Sequence, residues 1–409
     1  MMCDYPTGGK GRYLKSLVVA LAIFSSASNA AWQSNEPAGV VVTDFALAPS
    51  KPATVMATSE VGNRGIYISI TSGAAWDPNK ENSQGYYGAA FKADNFNYRL
   101  AGVAGGVIRI SVDNAGTAWA DTNFSASHDS WIIEFSRSSV STVYAAGFSN
   151  GAPDTGTVQK STNATNMAAN LDWADTAAIG GDLNPPTFSL AVAATDADIV
   201  YVGAKPSGSG NDGLYKTTDS AGSWSYLSDL NITQVDALAV DPTNPDYVYA
   251  GTAGSGLIQR SVDGGDDWVV LHDPNDVDDG VPGFTSVRGL AINPADRRII
   301  YAVGGSGSTK VIVSTDCGAS WTNVDSTGLI AGLPEKVLID SIDDLVMVLT
   351  SSGAMYRENL LTNATGDCNP NTGTSSGGGS SSGSLDYLLL GMLMLIGVVR
   401  YRASRLPRS

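Results

Sequence analysis

One short pattern recurs along the chain and limits what it can fold into. It reads Ser111-Val112-Asp113-Asn114-Ala115-Gly116-Thr117-Ala118-Trp119, then Thr217-Thr218-Asp219-Ser220-Ala221-Gly222-Ser223-Trp224. It returns as Ser261-Val262-Asp263-Gly264-Gly265-Asp266-Asp267-Trp268 and as Ser314-Thr315-Asp316-Cys317-Gly318-Ala319-Ser320-Trp321. A hydroxyl, an acid two places on, a glycine and a tryptophan each have a task. The Asp carboxylate accepts backbone N–H groups ahead of it and closes a tight turn, and the hydroxyl does so more weakly. Glycine supplies the positive φ that such a turn needs. Tryptophan buries a large ring with one N–H to satisfy. Each copy is therefore expected to be a hairpin corner fixed by its own apolar anchor.

These segments resemble the Asp box, S/T-x-D-x-G-x-x-W, of the BNR or sialidase-type β-propellers. The copies beginning at Ser261 and Ser314 match at every position: Ser261, Asp263, Gly265, Trp268 and Ser314, Asp316, Gly318, Trp321. The copy with Thr217, Asp219 and Trp224 carries Ala221 at the glycine place. The copy with Ser111, Asp113, Gly116 and Trp119 holds one extra residue. A fifth, from Ser69 to Trp76, puts Thr71 where the acid belongs, and a sixth, Ser161-Thr162-Asn163 with Trp173, is interrupted by an insertion. The copies recur every 45–55 residues or so, as propeller blades do. The resemblance implies an all-β fold: a single propeller of four-stranded antiparallel blades, most simply seven, with six or eight also compatible. It says little of function, because in this family the box builds a turn away from the active face.

The strands follow the same rhythm. Val235-Asp236-Ala237-Leu238-Ala239-Val240 alternates as a half-buried strand should, and Asp241-Pro242-Thr243-Asn244-Pro245-Asp246 is a turn. Strands over 247–251 and 256–261 follow, then the corner, then a fourth strand from Trp268. This is one blade. The order returns around Phe45-Ala46-Leu47, over 87–119, over 131–173, and around Val200-Tyr201-Val202-Gly203 and Ile300-Tyr301-Ala302-Val303-Gly304. A last unit, from Lys336-Val337-Leu338-Ile339 to Met355-Tyr356-Arg357, has neither box nor fourth strand. Residues 32–42 are expected to supply that strand and close the ring, which removes exposed sheet edges.

Both ends lie outside the propeller, which is expected to span 31–365. Lys10, Arg12 and Lys15 precede an apolar run over 17–24 and small residues ending at Ala30, which reads as a signal peptide over 1–30. Cys317 and Cys368 then remain for an oxidising compartment, where they are expected to pair. Residues 366–384 are a Gly/Ser-rich linker. Residues 385–409 hold an apolar stretch, expected to be helical, ending in Arg400, Arg402, Arg405 and Arg408. It is shorter than the roughly 20 residues of an ordinary membrane span. Glycines Gly377, Gly378 and Gly379, a short span and a basic tail resemble the GlyGly-CTERM sorting signal of Gram-negative bacteria. That implies export, cleavage near the glycines by a rhomboid-type protease, and release or display at the cell surface. The alternative is a periplasmic protein anchored in the inner membrane through this segment alone.

The net charge is −16, and −21 over residues 31–380. Such a body repels nucleic acid and anionic membrane. Polar loops over 77–88, 148–157, 204–213 and 271–286, with Tyr86, Tyr87, Phe148 and Phe284, form the expected binding face for glycan or protein. Asp273, Asn275, Asp276, Asp278 and Asp279 are oxygen donors of the type calcium takes, although Val277 breaks the EF-hand order; no other cofactor is indicated. His128 and His272 lack zinc spacing. The sialidase resemblance implies three arginines and a Tyr–Glu pair, but the Arg-Ile-Pro motif is missing. Xyloglucanase-type propellers carry the same boxes and use two aspartates across a cleft between two propellers. This chain has room for one propeller, and Asp44, Asp182, Asp196 and Asp236 match no motif. The expectation is an exported, non-catalytic module binding glycan or protein, which also resembles the photosystem assembly-factor and sortilin-like propellers. The alternative is a glycoside hydrolase, xyloglucanase-like before sialidase-like.

Overall fold

The computed structural model describes residues 32–365 and Cys368, except 79, 125–127, 150–155, 166–170, 180–186, 205–212, 231–233, 277–279, 282, 307–308 and 330–331. The signal segment with Ala30, the glycines Gly377, Gly378 and Gly379, and the expected C-terminal helix lie outside the described residues.

Seven antiparallel sheets form seven blades. Blade 1 holds Asp44–Leu47, Val55–Ser59 and Gly65–Ser69, and blade 2 Tyr86–Lys92, Asn95–Val103, Ile108–Ser111 and Ala120–Asp121. Blade 3 holds His128–Phe135, Val143–Ser149, Gly156–Ser161 and Ala174–Asp175, and blade 4 Thr187–Val192, Val200–Ala204, Gly213–Thr217 and Ser225–Leu227. Blade 5 is Ala237–Val240, Val248–Gly251, Ile258–Ser261 and Val269–His272, and blade 6 is Val287–Ile292, Ile300–Ser306, Thr309–Ser314 and Thr322–Asn323. Blade 7 takes Pro334–Asp340, Leu345–Thr350 and Met355–Asn359 from one end of the chain and Gln33–Ser34 from the other. No helix occurs among the described residues.

The ring thus closes as expected, through Gln33↔Arg357 and Ser34↔Tyr356. The closing strand is far shorter than 32–42, because Pro37 and Gly39 turn the chain and Val40 N–H bonds back to the Pro37 carbonyl at 3.1 Å. Blade 1 departs from the four-strand expectation. Its fourth strand shrinks to a bridge between Ile66 and Glu81.

The recurring corners show how the sequence forces each hairpin. Asp263 Oδ1 accepts Ser261 Oγ–H at 2.7 Å and the N–H groups of Asp266 and Asp267 at 3.1 and 3.0 Å. Ser261 Oγ in turn accepts Gly265 N–H at 2.7 Å. Asp316, Asp219 and Asp113 repeat the arrangement with Ser320, Ser223 and Thr117. Burial opposes ionisation of Asp113, but hydrogen bonds from Ser111, Thr117 and Ala118 hold its carboxyl down to about 2. Thr71 replaces the acid in blade 1 and still accepts Ala75 N–H at 2.9 Å. The glycine place needs positive φ: 107° at Gly265 and 86° at Gly318. Ala221 adopts 66° there all the same, its N–H held by Thr217 Oγ1 at 2.9 Å.

The corners also tie one blade to the next. Lys160 Nζ donates to the Ser220 carbonyl, Lys216 Nζ to Gly264, Arg260 Nη1 to Cys317 and Arg357 Nη1 to Ser72, at 3.0, 2.8, 3.1 and 3.2 Å. Tyr201 and Tyr249 hydroxyls join two of these carbonyls. Between blades the contact is close: a Cβ on Gly251 would collide with Val287 of blade 6.

Trp32 stands where blade 7 would carry its corner tryptophan. It is 3% exposed, packs with Tyr301, Val313 and Tyr356, and donates its indole N–H to the Asp325 carbonyl at 2.9 Å. Truncating a buried Trp to Ala costs about 3–5 kcal/mol, a large share of the roughly 5–15 kcal/mol that holds a domain. Trp32→Ala should therefore lower the guanidinium unfolding midpoint of the whole propeller. An unchanged midpoint would show that closure does not depend on the N-terminal strand.

Candidate functional site

The inner strands surround a central channel of about 510 Å³. Because successive strands are antiparallel, the corners and the first hairpin of each blade share one face, and the interblade loops share the other. Each inner strand is a sheet edge, so backbone groups and inward side chains form the wall.

The charged groups of the channel come from five blades: Asp44, Glu134, Arg137, Asp236, Arg288, Glu335 and Lys336. Asp44 lies at the loop-face end and ties three blades together. Its Oδ1 meets Lys336 Nζ of blade 7 at 2.5 Å, and its Oδ2 accepts Ala89 N–H of blade 2 at 2.9 Å. Burial raises the Asp44 pKa, against the pull of Lys336. Asp236 is occupied by Gln234 Nε2 at 2.5 Å and by Ala253 N–H at 2.7 Å. Glu335 faces Arg288 at 3.5 Å. All three carboxylates at this mouth therefore have cationic or N–H partners within the propeller.

Glu134 is different. In blades 4, 5 and 6 the inner-strand residue paired with the second-strand tyrosine is Ala191, Ala239 or Ala291. In blade 3 the residue paired with Tyr144 is Glu134, so a carboxyl stands where those three blades place a methyl group. Burial pushes its pKa up to about 7, against the Val192 N–H of blade 4, Arg137 and Lys336.

The structure sorts the expected residues. Asp44 and Asp236 reach the channel, whereas Asp196 lies in a hydroxyl-lined basin of about 530 Å³ on the corner face. Asp182, Asp278 and Asp279 lie outside the described residues. Asp273 Oδ1 accepts both the backbone and side-chain N–H of Asn275, each at 2.9 Å, which closes a turn. Among the described residues no three acidic, His or Cys side chains converge on a metal position. Tyr86 and Phe284, expected on the binding face, are fully buried core residues: an aromatic next to a turn is still more stable packed than wetted. His272 is buried, with Nε2 2.8 Å from the Phe284 carbonyl. Glu134, Arg288 and Lys336 carry no motif. Aligning the inner strands of blades 3 to 6 on their tyrosine partners is the signal that finds Glu134.

No protein-family profile matches the chain. Curated relatives match over a limited stretch. A xyloglucanase from Paenibacillus sp. is 35% identical over 130 residues, 28% of this chain and 12% of the enzyme. The xyloglucanase Xgh74A of Acetivibrio thermocellus is 30% identical over 146 residues, 32% of this chain and 17% of the enzyme. The chain thus spans less than a fifth of these relatives. Among solved structures, the GH74 enzyme of Niastella koreensis superposes with a TM-score of 0.60 at 16% identity, covering 82% of this chain and 55% of the enzyme. YCF48 bound to D1 peptide superposes with a TM-score of 0.58 at 13% identity, covering 82% of this chain and 97% of that protein. At such identities the superpositions show the shared propeller fold.

Glu134 gives a pH signature whose sign follows from its shift. A carboxyl raised from 4.5 in the unfolded chain to about 7 in the fold favours the protonated native state. Stability is then greatest below the unfolded value and falls as pH rises through the interval, by about 2 kcal/mol after a discount for channel water. Glu134→Gln should flatten the melting temperature between pH 5 and 7 and raise it at pH 8. The same slope in wild type and variant would assign the titration elsewhere.

Proposed function

We propose that this propeller is an exported, non-catalytic binding module that takes a glycan on its loop face. The observation that carries the reading is the state of the mouth carboxylates. Hydrolysis of a glycosidic bond uses one protonated and one ionised carboxyl, about 5–5.5 Å apart for retention or 6.5–9.5 Å for inversion. Among the described residues Asp44, Asp236 and Glu335 are instead engaged by Lys336, Gln234 with Ala253 N–H, and Arg288. Carboxylates fixed in this way still accept sugar hydroxyls at their remaining lone pairs, and they hold a rim in shape. The stretches similar to xyloglucanases favour a glycan over a protein as ligand.

The corners support a place among the Asp-box propellers, and the Cys317–Cys368 disulfide suits an oxidising compartment. With the N-terminal signal and the C-terminal glycines, apolar run and arginines, these features support export followed by sorting to the cell surface or medium. Retention in the inner membrane is the competing location.

The same similarity favours a second reading, a xyloglucanase-like hydrolase, with Glu134, whose pKa is pushed up to about 7, as the general acid. Affinity electrophoresis in xyloglucan, mixed-linkage glucan and soluble cellulose, run beside a reducing-sugar assay, separates the two. A binder should be retarded in at least one gel and release no new reducing ends. Sugar release that Glu134→Gln abolishes would establish the hydrolase, and no retardation in any gel would end the glycan reading.

A further inference from the structure

Blade 7 has no corner of its own, and residues 360–365 with Cys368 occupy its place. Leu360 leaves the third strand and is buried, 6% exposed, against blade 6. In blades 4 and 5 the second-strand tyrosine gives its hydroxyl to a corner of the next blade. In blade 6 the matching Tyr301 hydroxyl instead accepts Leu361 N–H at 3.0 Å. Thr365 N–H then bonds to the Thr315 carbonyl at 2.8 Å, and Cys368 joins Cys317 within the corner of blade 6. The chain therefore runs back from the last blade to the one before it and is covalently fastened there.

We infer that this strap is a tension clip: a pull on the chain beyond Cys368 passes through the disulfide into blade 6 and bypasses the ring closure. The geometry of the two routes decides this. Without the bond, load would enter at the end of Met355–Asn359. That strand pairs with the closing strand through only two residue pairs, and a pull along its end would break Leu345↔Asn359 first and the rest in turn. With the bond, load enters at Cys317, inside a hairpin of a blade whose four strands are consecutive in the chain. The Cys317 carbonyl is also gripped from blade 5 by Arg260 Nη1 and Tyr249 OH at 3.1 and 3.3 Å. The ring closure and the neighbouring core are then out of the load path.

The use of such a clip rests on the tethering part of the proposed function, but its test applies the pull directly and so stands apart from that reading. One handle is inserted in the connection between Val200–Ala204 and Gly213–Thr217, and the other follows the C-terminus of the full chain in detergent. Wild type is compared with C317S/C368S by optical tweezers. Serine suits the corner, since Ser72 and Ser220 hold the same place with the same positive φ. The double variant should gain an early, low-force step, the peeling of the last strand, which oxidised wild type lacks. The same rupture force and step pattern in both would overturn the clip, even if the variant melts lower, because a purely structural bond moves the melting temperature without moving the load. If the variant fails to fold, a thiol reductant added to wild type during the pull, supplying two electrons and two protons to give two thiols, makes the same comparison.

Discussion

Four of the seven blade junctions hang on a corner carbonyl. At the fourth place of the corners of blades 1, 4, 5 and 6 the backbone is turned into the left-handed region, 51° at Ser72, 64° at Ser220, 78° at Gly264 and 63° at Cys317. That twist aims the carbonyl at the preceding blade, where a lysine or arginine of the third strand claims it. A charged donor makes this a stronger bond than a neutral one, particularly where neighbouring blades shield it from water. In blades 3, 4 and 5 the gripping cation stands directly before that blade's own corner, so each of these copies fastens the next. Blades that each bury little alone are stabilised as neighbours.

A repeat that fastens only its successor has a defect at its last member. Blade 7 has no corner to offer blade 6, and blade 1 needs a predecessor. Both ends of the chain mend this. From the N-terminus come Trp32 and a two-residue strand. From the C-terminus come Arg357, which grips the Ser72 carbonyl of blade 1, and the strap that fills Tyr301 and reaches Cys317. The disulfide sits where the repeat fails, and it closes a chain separation of 51 residues, long enough for a sizeable loss of unfolded-state entropy.

The architecture was legible because the corner is a local device: the hydroxyl, acid and tryptophan satisfy one another within eight or nine residues. Where the residues changed but the hydrogen-bonding role survived, as at Thr71 and Ala221, the turn survived too. The depleted fourth strand of blade 1 was not legible, since the corner before it is intact and the loss is a matter of pairing beyond it. Nor was Glu134. A carboxyl in a short apolar strand has no motif, and its setting exists only once seven distant strands share an axis. The aromatics misled in the opposite direction. Tyr86 and Phe284 stand beside polar turns, and only the packing of adjacent blades reveals that they face inward.

The channel turns this distinction into chemistry. Six inner strands place an apolar side chain at or near the depth of Glu134, so the cost of its charge falls on one group, and the fold tolerates it with a single amide from Val192 and distant cations. At the mouth the opposite choice was made, and each acid was given a partner across a blade boundary or within its loop. An acid given a partner is a piece of scaffold, whereas an acid left short of one retains a proton that a neighbour or a ligand can take. The proposed binding role rests on this contrast between Glu134 and the engaged carboxylates at the mouth.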